Sequence, residues 1–150
     1  MKKIESRIMT NDLYFEEVQR LLEEGKEVCI RVKGNSMLPF IKTGDRVLLV
    51  AYQGTSLPIG SNILAKHEGN YIFHRYVGKK GDKYLLAGDG NLVLHEHIAE
   101  TDILALATRH YPTSGDKTVN IHKVWYRFRG MAWYYMRIIR RIITVLKRRF

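Results

Sequence analysis

The chain has 150 residues, 45% hydrophobic and 27% charged, which fits one folded domain with a real core and excludes a disordered or fibrous polymer. Its single cysteine, Cys29, excludes an internal disulfide, and no stretch reaches the roughly 18 uninterrupted apolar residues that cross a bilayer. The net charge of +10 asks for an anionic partner, either nucleic acid or a membrane surface.

The opening Met1-Lys2-Lys3-Ile4-Glu5 lacks the apolar run of a secretory signal. Thr10, Asn11 and Asp12 offer helix caps. Leu13, Glu16, Glu17, Val18, Leu21 and Leu22 then follow helical spacing toward Gly25, which predicts an amphipathic helix over 11–24. That helix is too short and too acidic for a DNA-reading helix-turn-helix. After Gly25 the period changes to two. Val28, Ile30 and Val32 alternate with Glu27, Cys29, Arg31 and Lys33, as in a half-buried strand. Cys29 reads as a packed or half-exposed strand residue.

Gly34-Asn35-Ser36-Met37-Leu38-Pro39 makes a turn, followed by Gly44-Asp45 and the strand Arg46–Ala51. Gln53–Gly60 reads as a loop. Asn62–His67, Tyr71–Gly78 and Lys83–Ala87 read as strands joined by Glu68-Gly69-Asn70 and Lys79-Lys80-Gly81-Asp82. Ile103–Tyr111 and Thr118–Trp125 predict a further hairpin across Pro112–Asp116. Many short strands with one N-terminal helix predict a mainly β (α+β) fold, a coiled and mostly antiparallel β-domain. The domain spans 1–126, and a basic amphipathic tail follows at 127–150.

From Arg127 to Phe150 there are no acidic residues, while eight arginines and lysines accumulate. The tail reads as helical from about Gly130. Met131, Tyr134, Tyr135, Ile138, Ile142, Val145 and Leu146 form one stripe, and Arg137, Arg140, Arg141, Lys147 and Arg148 form another. So large an aliphatic stripe suits an anionic membrane surface better than nucleic acid, so residues 130–150 are expected at a membrane and no nucleic-acid partner is expected. With no secretory signal or spanning segment, attachment is expected at the cytoplasmic face. Docking of the stripe on the domain or on another subunit is the alternative.

Three residues in turns and strands invite chemistry. Ser36 is held in a glycine- and proline-flanked turn, and a serine needs a general base within reach to act as a nucleophile. His74, inside Tyr71-Ile72-Phe73-His74-Arg75-Tyr76-Val77, can accept that proton. Asp89, in Gly88-Asp89-Gly90-Asn91, can accept from the imidazole N–H. Each alone has an ordinary explanation: a turn-forming serine, a buried histidine bonded to backbone, an Asx turn. His95-Glu96-His97 carries ligand-type side chains, but nothing in the chain completes a metal site. No metal and no cofactor is expected.

The order of the boxes resembles the type I signal peptidase family: Ser-Met-x-Pro, Gly-Asp with an apolar strand, His-Arg on a strand, then Gly-Asp-x-Asn. The resemblance covers about residues 28–110. It is to the branch with a Ser–His pair, found in archaeal and endoplasmic-reticulum signal peptidases. The commoner bacterial branch, and the self-cleaving SOS repressors of the same clan, carry lysine where this chain has His74. The resemblance implies Ser36 as nucleophile, His74 as general base and Asp89 as the aspartate of the Gly-Asp box. It also implies that Met37 and Pro39 shape the turn and the substrate cleft, and that an extended peptide with small side chains is cut. The box departs from the family in carrying Gly90 for its first asparagine. Six residues after Asp89 stands His95, where the family has another aspartate, with Glu96 next to it as a possible substitute. Position 34, which carries a hydroxyl in some relatives, is glycine. The function implied is a serine endopeptidase removing a leader or signal peptide. A self-cleaving regulator and a non-catalytic binding module on the same fold are the alternatives.

Overall fold

The computed structural model describes residues 2–3, 11–55, 57–91, 95–115 and 117–149. Eight strands form one sheet: β1 (Lys2–Lys3), β2 (Val28–Arg31), β3 (Arg46–Ala51), β4 (Asn62–His67), β5 (Asn70–Lys80), β6 (Lys83–Ala87), β7 (Glu96–Ile98) and β8 (Ile103–Tyr111). Their order is β1-β2-β3-β8-β4-β5-β6-β7, and every pair is antiparallel except β1–β2. Three helices complete the molecule: α1 (Asn11–Glu23), α2 (Val124–Tyr135) and α3 (Arg137–Arg149). The mainly β, α+β architecture read from the sequence is the observed one.

Two apolar clusters occupy opposite faces of the sheet, as the period of two dictates. Leu64 of β4 joins Val18, Leu21, Leu22, Val28, Ile30 and Val47 under α1. Its neighbours Ile63 and Ala65 join Tyr76, Leu86 and Ile98 on the other face. α1 stops where expected. Gly25 has φ 79°, its N–H bonds Leu22 O at 2.9 Å, and the Lys26 N–H bonds Leu21 O at 3.1 Å. That pair of bonds closes the last turn and needs the left-handed backbone that glycine adopts without cost. The cap residue Thr10 lies outside the described residues, as do the side chains of Asn11 and Asp12.

Of the two states expected for the strand residue Cys29 it takes the packed one, because β2 is covered on both faces. Two other expectations change. The strand expected at Thr118–Trp125 reduces to one bridge, Val119 to His110. The Asn120 side chain then accepts from the His122 N–H at 3.1 Å, an Asx turn that ends extended backbone and leads into α2. Helix therefore begins at Val124 rather than near Gly130, and it breaks at Met136 into two pieces. The first piece is docked, with Met131 packed on Val77 and Ala87.

Candidate active site

The Ser36 turn is pinned from beneath. Met37 is 1% exposed in the main core, so it shapes the turn, as expected, but from below, and its side chain offers a substrate almost no surface. The Phe40 and Ile41 N–H groups both bond Met37 O, at 3.1 and 3.0 Å. Ser36 and Pro39 stay exposed on top.

Asp45, 2% exposed, closes the base of this loop. Its carboxylate accepts from the Lys42 N–H, the Thr113 N–H and the Thr113 hydroxyl, and lies 2.7 Å from His110 Nε2. Burial pushes its pKa up, but the Thr113 and Lys42 amides, His110 and the Thr113 hydroxyl outweigh it and hold it down to about 2. The Gly-Asp box is thus a structural knot tying the β2–β3 loop to β8.

Sheet register places His74. Arg75 pairs with Ala87, Tyr76 with Leu86, and Leu86 with Glu96, so one rung runs across β5, β6 and β7. Cross-strand partners share a face, and residues two apart on a strand do too. His74 and Glu96 therefore lie on the same side of the sheet. His74 Nδ1 stands 2.6 Å from Glu96 Oε1, with side chains 13% and 17% exposed. The approach is close but off the N–H direction, so neither Nδ1 nor Glu96 Oε2 has an aligned hydrogen bond.

The other ring nitrogen and the serine both border Gly88. A Cβ placed on Gly88 would stand 3.3 Å from His74 Nε2, 3.3 Å from Ser36 Cβ and 2.6 Å from Ser36 O. Only glycine allows the loop to come this close. The Gly90 N–H donates to Ser36 O at 2.9 Å, which ties the β6–β7 loop to the serine turn.

Asp89 goes elsewhere. Of the two carboxylates expected as candidates at the imidazole, Glu96 lies there, while both Asp89 oxygens accept from Arg75, Nε and Nη2 each at 2.7 Å. The pair is 4% and 2% exposed, and Arg75 Nη1 donates to Gly60 O at 2.8 Å. A planar guanidinium matched to a carboxylate in this way satisfies both charges. The Asp89 carbonyl accepts from Trp133 Nε1 at 2.8 Å, so α2 clasps the same loop. Arg75 carried no expected role beyond its place in the His-Arg box, and Trp133 was expected at a headgroup boundary rather than on Asp89. Gly130, against which the Arg75 guanidinium packs, had no expected part in the site.

The sequence model of the Peptidase S24-like family matches residues 3–106. The chain belongs to that family. The S24-like match spans β1 to β8 and so includes the serine turn, His74, Asp89 and Glu96, while α2 and α3 lie beyond it. Its members are mostly serine peptidases and self-cleaving proteins of the repressor and signal-peptidase type. No curated protein matches the chain. Among the described residues of this S24-like chain, no group of three His, Cys, Asp or Glu side chains could hold a metal ion. No described helix is long and apolar enough to cross a membrane.

Proposed function

We propose that this S24-like chain is a serine endopeptidase of the signal-peptidase type, cutting a leader or signal peptide through Ser36 and His74. The supporting observation is the convergence of Ser36 and the His74 Nε2 edge on Gly88, with a carboxylate at the opposite ring nitrogen. A neutral ring with its proton on Nδ1, facing Glu96, leaves the Nε2 lone pair for the serine hydroxyl.

Ser36 Oγ attacks the scissile carbonyl as its proton passes to His74 Nε2. The imidazolium is stabilised by Glu96. The tetrahedral oxyanion accepts from the Ser36 backbone N–H. Collapse breaks the C–N bond, and His74 gives its proton to the leaving amine. Water, deprotonated by His74, then releases the acyl group and restores the serine. Glu96 replaces Asp89 as the positioning carboxylate, and Asp89 holds the loop that backs the site. Met37 supports the turn and Pro39 borders it on the exposed side. The substrate binds as an extended segment.

The test is covalent. An acylating serine-peptidase inhibitor adds its acyl mass to the wild-type chain, and neither Ser36→Ala nor His74→Ala is modified. Peptide cleavage that persists unchanged in both variants overturns the assignment. Incubation of the purified chain leaves it intact under this reading, and appearance of an internal cut assigns it to the self-cleaving regulators.

A further inference from the structure

α3 is turned the unusual way round. Arg137, Arg140 and Thr144 are spaced three and four residues apart, which places them on one helix face, and that face meets the protein. Arg140 donates to Trp133 O at 2.9 Å and to Asp89 O at 3.4 Å, and lies 4.1 Å from the centre of the Trp133 ring. Arg137 donates to His95 Nε2 at 2.8 Å. The apolar residues Ile138, Ile139, Ile142, Ile143, Val145 and Leu146 point outward, each 45–60% exposed. A helix of a water-facing protein shows the opposite arrangement. α2 continues the apolar surface with Val124, Trp125, Phe128 and Tyr135. Among the described residues, every exposed large hydrophobic except Leu13 and Ile59 falls in these two helices or at Met136 between them.

We infer that the outer face of α2 and α3 lies in the surface of an anionic bilayer. Charge selects the occupant. Residues 117–150 contain no acidic side chain, and Arg141, Lys147, Arg148 and Arg149 flank the apolar stripe. A second copy docked symmetrically would bring these cations against their own counterparts. Anionic headgroups neutralise them while the isoleucines enter the acyl boundary, and the tryptophan and tyrosine of α2 suit the interface. The same helices clasp the Asp89 loop. One helix layer, about 10 Å thick, thus separates the candidate active site from the lipid.

Flotation with vesicles tests this on the full chain. The wild type floats with phosphatidylcholine–phosphatidylglycerol vesicles and much less with phosphatidylcholine alone. Ile139→Glu with Ile142→Glu abolishes flotation. Arg141→Gln with Lys147→Gln lowers partitioning to the anionic vesicles about thirtyfold, from the usual surface contribution of two basic residues. All four side chains are exposed, so the variants keep the wild-type melting temperature, and an unchanged melt shows that they are folded. Flotation of the double glutamate variant like the wild type overturns the inference. So does a lipid-free dimer that this variant dissociates, which gives the face to a second copy. The inference stands apart from the peptidase reading, since Ser36→Ala floats like the wild type whether or not the site is active.

Discussion

Replacing Gly130 by alanine sets two physical effects of opposite sign against each other. Gly130 lies inside α2, where alanine is favoured over glycine by about 1 kcal/mol. Packing opposes this. A Cβ at Gly130 would stand 2.1 Å from Arg75 Cζ and Nη1, and 2.6 Å from Nε. A guanidinium usually swings aside, but this one is held by Asp89 at 2.7 Å twice and by Gly60 O at 2.8 Å, in a buried pair. Forcing a methyl into a filled site costs about 1–3 kcal/mol. Displacing Arg75 leaves a buried carboxylate without its counter-charge, at about 3–5 kcal/mol. Overpacking in the middle of its range with a small part of the pair lost comes to about 3 kcal/mol, and less the propensity gain the net destabilisation is about 2 kcal/mol. In a chain of this size that lowers the melting temperature by roughly 5 °C. Urea unfolding followed by circular dichroism measures it, and tryptophan emission reports whether α2 lifts off Asp89 O. A Gly130→Ala midpoint equal to or above the wild type, with unchanged emission, would mean that α2 is not seated on the Arg75–Asp89 pair.

The two carboxylates near the site separate by readout. Glu96→Gln leaves the melting temperature within about 0.5 kcal/mol of wild type in stability terms and lowers kcat about a hundredfold or more. Equal kcat would remove Glu96 from the site. Asp89→Asn breaks the buried pair and lowers stability by about 3 kcal/mol or more, and a fully stable variant would contradict the geometry. Asp45 titrates at about 2 instead of 3.8. Its folded pKa is lowered, so its contribution of about 2 kcal/mol is complete above pH 4 and is lost as pH falls toward 2. Asp45→Asn flattens that acid limb in urea titrations across pH, and an unchanged limb would refute the assignment.

Strands with clear alternation or clear flanking turns were legible residue for residue. Arg46–Ala51, Asn62–His67, Lys83–Ala87 and Ile103–Tyr111 match the observed bounds. What failed was Thr118–Trp125, where a β-like composition hid the Asx turn at Asn120 that starts a helix. Ser36 and His74 could be singled out in the sequence because each sits in a local box. The carboxylate beside His74 was legible only as a choice between Asp89 and Glu96, since Glu96 reaches the ring through the register of three strands, and no spacing along one chain encodes a cross-strand rung. The inward arginines of α3 were misjudged for a related reason. Amphipathicity shows that a helix has two faces, while the contacts of Arg137 and Arg140 decide which one meets the protein.

The division of labour between Asp89 and Glu96 follows from where each is held. Asp89 stands in a loop that must approach the serine turn closely, because Gly88 and Gly90 both press on backbone carbonyls of that turn. A loop without a ladder has no cross-strand bonds to fix it, and here the bonds come from side chains instead. Arg75 takes the carboxylate of Asp89 and Trp133 takes its carbonyl, so the residue is secured at both ends. A carboxylate committed in this way is poorly placed to follow an imidazole through a proton transfer. Glu96 is fixed by strand pairing to Leu86, and its longer side chain keeps one buried oxygen unpaired. It can turn to meet Nδ1–H as charge develops on the ring, without releasing any bond that holds the loop. The Arg75–Asp89 pair therefore holds the loop that borders Ser36 and His74, and in the proposed mechanism Glu96 orients the ring. This separates a variant that loosens the site from one that mistunes its base.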